Sequence, residues 1–201
     1  MKKVGVILAR LQPVHKGHLG LIAKSISEND STYIFVGSAD KFNERNPLPI
    51  GLRIQLLMGA IEETFTDFHW NEVYGQYSDG NKTINIVQLN DLSDESHNDH
   101  EWGFYLYSNI VAASGSANFT MYYSDGFEII TSWFPGFILR NNVSLSLIAR
   151  NSMQEGISAT AVRQAIEEGN LDLLQKYVTK NVIELRDTIA QHIKISHMVK
   201  Q

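Results

Sequence analysis

The chain has no cysteine among its 201 residues, which excludes disulfides, thiolate metal sites and cysteine nucleophiles, and nothing in it points to an oxidising compartment. Proline is scarce, at four residues, and 43% hydrophobic against 19% charged is the balance of a folded chain rather than a disordered one. No stretch reaches the roughly 18 consecutive apolar residues that a membrane-spanning helix needs. Basic residues are outnumbered: 17 Lys and Arg against 22 Asp and Glu leave a formal charge of −5. That argues against a general nucleic-acid binder, because non-specific binding to a phosphate backbone needs a basic surface. Phosphate chemistry must then be local. The opening Met1-Lys-Lys has the charged tip of a secretory signal, but the apolar run behind it is short and meets Arg10 before any small-residue cleavage site. A cytoplasmic protein without nucleic-acid or membrane partners is expected. No internal repeat and no low-complexity tract interrupts the chain, and its length suits one domain over residues 1–201, with 170–201 as a C-terminal helical part.

What is present begins with a short, β-branched apolar run, Val4 to Leu8, bounded by the Gln12-Pro13 turn, which fits a buried parallel strand ending near Ala9. From Gly17 onward Leu19, Leu21, Ile22 and Ile26 recur at helical spacing, and a polar cluster from Ser27 to Ser31 stops them. Tyr33 to Val36 reads as the next strand. Strand, helix, strand is a βαβ unit, so the expected fold is α/β, a doubly wound parallel sheet whose ligand crevice lies beyond the carboxyl ends of the strands. Further on, the patterns predict a helix over 51–65, a strand over 83–89, a loop over 93–102, a helix over 105–113 and a strand over 118–123. The stretches 137–142 and 143–149 could each be strand. A helix opens after the hydroxyl residues Ser158 and Thr160, and closing helices are expected over 171–177 and 182–195. These last helices either complete the core or form an interface between copies of the chain.

Two constellations carry chemistry. The first is Arg10, Gln12, His15, Lys16 and His18, placed where a strand ends and a helix begins. Free backbone N–H groups and the helix dipole favour an anion there, and two imidazoles separated by Lys-Gly can both face it. Imidazole donors on phosphate oxygens stabilise the charge that builds up during displacement at phosphorus. The bland readings are a pair of polar turn histidines, or one edge of a zinc site whose other ligands would be distant. The second constellation is Ser158, Thr160 and Arg163: hydroxyls and free N–H groups at a helix start, with a guanidinium one turn later. By itself that pattern reads as a capped helix with a solvated arginine.

Taken together the two constellations resemble the His-x-Gly-His nucleotidylyltransferases, and among them the nicotinamide mononucleotide adenylyltransferases of the archaeal and Nudix-fused kind. Ala9-Arg-Leu-Gln-Pro-Val-His-Lys-Gly-His18 is similar to the family's opening pattern and Ile157-Ser-Ala-Thr-Ala-Val-Arg163 to its closing one. Between them, Gly37-Ser-Ala-Asp40, Asn46-Pro-Leu and Arg53 resemble a third family segment. The resemblance implies a Rossmann-like nucleotidylyltransferase fold and transfer of AMP from ATP to nicotinamide or nicotinic acid mononucleotide, with pyrophosphate released. No covalent intermediate forms, and Mg2+ rides on the triphosphate, with no metal held by the protein itself. By position, His15 and His18 would hold the α- and β-phosphate region with Arg10 and Lys16 nearby, and His18 is the first choice of catalytic residue. Ala9, Leu11 and Gln12 would line the nucleotide site, and Ser158, Thr160 and Arg163 would hold the β- and γ-phosphates. Ser38, Asp40, Asn46, Arg53, Asp91 and Trp102 would form the acceptor side. Trp102 reads either as a stacking platform or as a core or lid anchor, and Tyr122, Tyr123 and Trp133 share that ambiguity, since aromatics around a strand end are more often packing.

The chain departs from the family pattern at Ala9, where glycine is usual, at Leu11, where phenylalanine is usual, and at Gly51-Leu52, where glutamate precedes the arginine. Three other readings remain beside the leading one. They are a cytidylyl- or adenylyltransferase with a different phosphorylated acceptor, a catalytically silent nucleotide-binding regulator, and a metal hydrolase built from His15, His18, His97 and His100.

Overall fold

The computed structural model describes residues 2–92, 98–149 and 157–198. Five parallel strands form the body of its sheet: β1 (Val4–Ala9), β2 (Ser31–Val36), β5 (Thr83–Gln88), β6 (Phe119–Ser124) and β7 (Val143–Ile148). Two short strands, β3 (His69–Asn71) and β4 (Gln76–Ser78), add an antiparallel hairpin at one edge. The order is β3-β4-β5-β2-β1-β6-β7, so the chain winds outward from β1 through β2 to β5, then returns to the other side of β1 with β6 and β7. The reversal lies between β1 and β6, and ligands of such sheets bind beyond the strand ends at that point.

The central strands are buried on both faces, and their side chains alternate between two cores. Ile7, Ile34 and Val36 pack with α1 (Lys16–Glu28), α2 (Ile50–Thr64) and the C-terminal helices α6 (Ala159–Glu168), α7 (Leu171–Tyr177), α8 (Lys180–Glu184) and α9 (Arg186–Met198). Val4, Val6 and Phe35 pack on the opposite face with α3 (Asp99–Ser114), α4 (Ile130–Trp133) and α5 (Gly136–Asn141). Leu174, Val182, Ile189 and Ile193 are buried in the first core, so the closing helices complete the core. Among the described residues no helix is long and apolar enough to cross a membrane.

The expected α/β class, the βαβ opening and the parallel strands are all present, and three expectations need correction. The expected loop over 93–102 ends sooner, because α3 begins at Asp99; residues 93–97, with His97, lie outside the described residues. The cause is local: Asn98 Oδ1 accepts from Glu101 N at 3.0 Å while Glu101 Oε2 accepts from Asn98 N at 2.9 Å, a reciprocal cap. Residues 137–142 fall mostly in helix α5, entered directly behind Pro135, rather than in a strand. The helix over 182–195 is two, α8 and α9, broken at Leu185, and Arg186 Nη1 donates to the Ile183 carbonyl at the break. The β3–β4 hairpin occupies a region whose sequence carries no sustained period.

Candidate active site

The reversal between β1 and β6 opens into a cavity of about 870 Å³ beyond the carboxyl ends of the strands. Ala9, Arg10 and His18 line it from β1 and α1, Gly37, Ser38, Lys41 and Arg45 from the segment after β2, and Asp91 from the end of β5. Trp102 on α3, Tyr123 and Ser124 on β6, and Phe127 and Trp133 beyond them form the facing wall. A second cavity of about 840 Å³ opens at the opposite edge, near Lys3, Asn118 and Arg140. It touches neither sequence constellation.

At the start of α1 the two histidines stack, with ring centroids 3.7 Å apart and planes 28° from parallel. His15 is the N-cap residue, and its backbone N–H donates to His18 Nδ1 at 3.2 Å. That bond fixes a tautomer. With Nδ1 accepting, the neutral imidazole carries its proton on Nε2, which leaves one N–H donor. Surrounding protein atoms, and then the neighbouring His15, hold the His18 pKa well below the ordinary imidazole range, so the neutral form prevails. The glycine between the histidines is a matter of space. A Cβ at Gly17 would lie 3.0 Å from the His15 ring and 3.2 Å from Ile157 Cγ2, so the start of α1 and the entry to α6 meet across this position.

The second constellation is therefore beside the first. Ser158 caps α6, its Oγ accepting from Ala161 N at 3.1 Å. Arg163 Nη1 donates to the Gln12 carbonyl at 2.7 Å and Nη2 to Thr160 Oγ1 at 3.3 Å. Burial lowers the Arg163 pKa and Glu167 opposes the shift. Residues about 150 positions apart in sequence thus share one loop.

Several expected site residues turn out to hold the frame. Gln12 is buried, and its amide grips the Leu48 backbone in both directions: Leu48 N donates to Oε1 at 2.8 Å and Nε2 donates to Leu48 O at 3.4 Å. It ties the β1–α1 turn to the segment after β2. Leu11 is buried with φ +53°, a strained backbone for a branched side chain, and it packs in the core rather than against the cavity. Arg53 is wholly buried, donating from Nη1 to Gly37 O at 2.7 Å and Arg10 O at 3.0 Å, and from Nη2 to Ser38 O at 2.9 Å. Burial first, then Arg10, push its pKa down to about 10. Expected on the acceptor side, it instead clamps the ends of β1 and β2. Lys16 turns from the cavity, its Nζ donating to the Gln175 carbonyl at 2.9 Å. Asn46 is buried in a tight turn with Asn43, outside the cavity lining.

Others do face the cavity. Arg10 is exposed, with its pKa lowered by burial and by Arg45, and Asp91 working against both. Ser38, at φ +50°, donates from Oγ to Asp91 Oδ1 at 2.8 Å; Asp40 lies outside the cavity lining and supports it, its Oδ1 accepting from Asp91 N at 2.8 Å. Trp102 packs edge-on against Trp133 with centroids 5.8 Å apart, and Trp133 meets Phe127 at 5.3 Å. Tyr122 belongs mainly to the core, its hydroxyl donating to Glu28 and accepting from Asn29. Arg45, Lys41 and Asp99 line the cavity but carry no periodicity or motif that marks them in the sequence. Among the described residues no group of three or more His, Cys, Asp or Glu is arranged to hold a metal, and His100 sits exposed on α3.

No protein-family model matches the chain. The nicotinamide-nucleotide adenylyltransferase of Pyrococcus abyssi is 40% identical over 60 residues, a match covering 29% of this chain and 32% of that one, so it spans about a third of the relative's length. The protein of the same name from Thermococcus onnurineus is 24% identical over 194 residues, covering 92% of this chain and 85% of the relative. Among solved structures, a bifunctional NMN adenylyltransferase/ADP ribose pyrophosphatase from Francisella tularensis aligns at TM-score 0.60 and 18% identity, over 84% of this chain and 43% of that one. Plasmodium falciparum nicotinic acid mononucleotide adenylyltransferase aligns at TM-score 0.54 and 12% identity, over 97% and 96%. The structural likeness carries the fold alone, a Rossmann-like α/β architecture, and the resemblance drawn from the two motifs agrees with the names of the curated relatives.

Proposed function

We propose that this chain is a nucleotidyltransferase that moves AMP from ATP to nicotinamide or nicotinic acid mononucleotide and releases pyrophosphate. The observation that carries the reading is the meeting of two phosphate-handling segments, Arg10 to His18 and Ser158 to Arg163, around one loop at the sheet's topological switch. The names of the curated relatives support it. In the reaction a phosphate oxygen of the mononucleotide attacks the α-phosphorus of ATP, and the bond to the β-phosphate oxygen breaks. Magnesium enters with the triphosphate as part of the substrate. His18 donates from Nε2–H to the α-phosphate as charge accumulates, and being neutral it gives that hydrogen bond without a proton changing hands. His15 orients it, and Arg10 attracts the triphosphate. Ser158, Thr160 and the free N–H groups of α6 receive the β- and γ-phosphates, with Arg163 beside them. Arg10, Lys41 and Arg45 offer positive charge to the acceptor's phosphate, and the Trp102 wall offers a flat surface to its ring. One folded unit in the cytoplasm suffices for this chemistry.

The test is pyrophosphate release with magnesium, crossing ATP and CTP against nicotinamide mononucleotide, nicotinic acid mononucleotide and other phosphorylated acceptors. Release with ATP and either pyridine mononucleotide is expected. Release only with CTP or another acceptor transfers the mechanism to a different substrate. Nucleotide binding without release from any pair makes the chain a silent binder.

A further inference from the structure

The cavity is polarised. Arg10, Lys41 and Arg45 line its β1–β2 side, with Asp91 as the carboxylate beside them. The opposite wall is aromatic, with Trp133 in edge contact with both Trp102 and Phe127, and the charged side chain among its described lining residues is Asp99. Asp99 sits in the first turn of α3, three residues before Trp102, where the helix dipole tolerates a carboxylate. Ser132 Oγ donates to Asp99 Oδ2 at 2.6 Å, which pins the group between α3 and α4. The other ionisable groups on these two stretches, short of the tyrosines, are His100, Glu101, Asp125 and Glu128; neither 98–114 nor 123–134 contains a lysine or arginine. A flat cationic ring fits such a wall, since aromatic faces and a carboxylate both attract it. A carboxylate on that ring fits it less well, because on this wall it meets a like charge and no lysine or arginine.

Resting on the function proposed above, we infer that Asp99 is a specificity-determining residue that selects an acceptor whose pyridine ring bears a neutral carboxamide over one bearing a carboxylate. The carboxamide can donate an N–H to Asp99, whereas the acid can only repel it.

The experiment is kcat/KM for nicotinamide and nicotinic acid mononucleotides at saturating magnesium and ATP, in the wild type and in Asp99→Asn, Asp99→Ser and Asp99→Glu. The wild type should prefer the amide by about tenfold or more, and added salt should narrow that preference. Asp99→Asn and Asp99→Ser should bring the ratio within about threefold, mainly by improving the acid acceptor, while Asp99→Glu keeps it. Two uncharged variants guard against one failing to fold. An equal loss with both acceptors, an unchanged ratio in the uncharged variants, or a wild-type preference for the acid overturns the inference and leaves the proposed function standing. No turnover with either acceptor overturns the proposed function itself.

Discussion

His18 is held between two demands. Its Nδ1 is occupied by the His15 backbone N–H, and its surroundings oppose a positive charge. What remains is a single neutral donor whose direction the start of α1 fixes. Replacing His18 by alanine removes that donor, and turnover should fall about a hundredfold with the far-ultraviolet spectrum unchanged. Unchanged turnover would show that phosphate is held elsewhere. The same depressed pKa has a consequence for stability. The unfolded chain takes up a proton on this imidazole at a pH where the native chain does not, so the stability it contributes is present above the ordinary imidazole range and is lost as pH falls below it. Urea unfolding from pH 8 to pH 5 should therefore show stability declining through that window, and His18→Asn should flatten the decline. An equal slope in both proteins would place the titration on another group.

At the scale of elements, the aromatic wall depends on how closely α3 and α4 approach. A Cβ on Gly103 would lie 1.8 Å from the Trp133 carbonyl oxygen, a backbone atom that cannot swing aside. Gly103→Ala should push the two helices apart, cost about 1–3 kcal/mol of unfolding free energy, and alter the near-ultraviolet signal of the Trp102–Trp133 pair. A melting temperature equal to wild type would mean that α4 yields without loss. The start of α3 was open to inspection as Asn98-x-x-Glu101, a cap pattern. It was obscured by the acidic run before it, which carries no apolar period. Helix α5 was harder: Phe137 to Leu139 is a short apolar run, and such runs suit strand or helix until burial decides.

At the scale of the molecule, Arg163 joins the first loop to the last third of the chain by its bond to the Gln12 carbonyl. Its guanidinium both fastens α6 and supplies charge at the helix start. Arg163→Ala should weaken ATP binding about tenfold or more, read by calorimetry, because a charge-assisted contact to phosphate is lost. Unaltered ATP affinity would reduce this arginine to a structural tie.

Local physics was sufficient for a good deal. The apolar run at β1, the helical spacing after Gly17, the hydroxyl cap of α6 and the spacing of the two histidines depend on neighbours in sequence, so they are legible there. Tertiary structure decided which polar side chains remain available, because that depends on partners far along the chain. Lys16 is taken by Gln175, Gln12 by Leu48, and Arg53 by the carbonyls of Arg10, Gly37 and Ser38. It also decided that Arg45 and Asp99, which no motif marks, come to line one cavity. A carboxylate or guanidinium has the same local signature whether it faces solvent, a backbone carbonyl or a substrate, and only the packing of distant elements distinguishes the three.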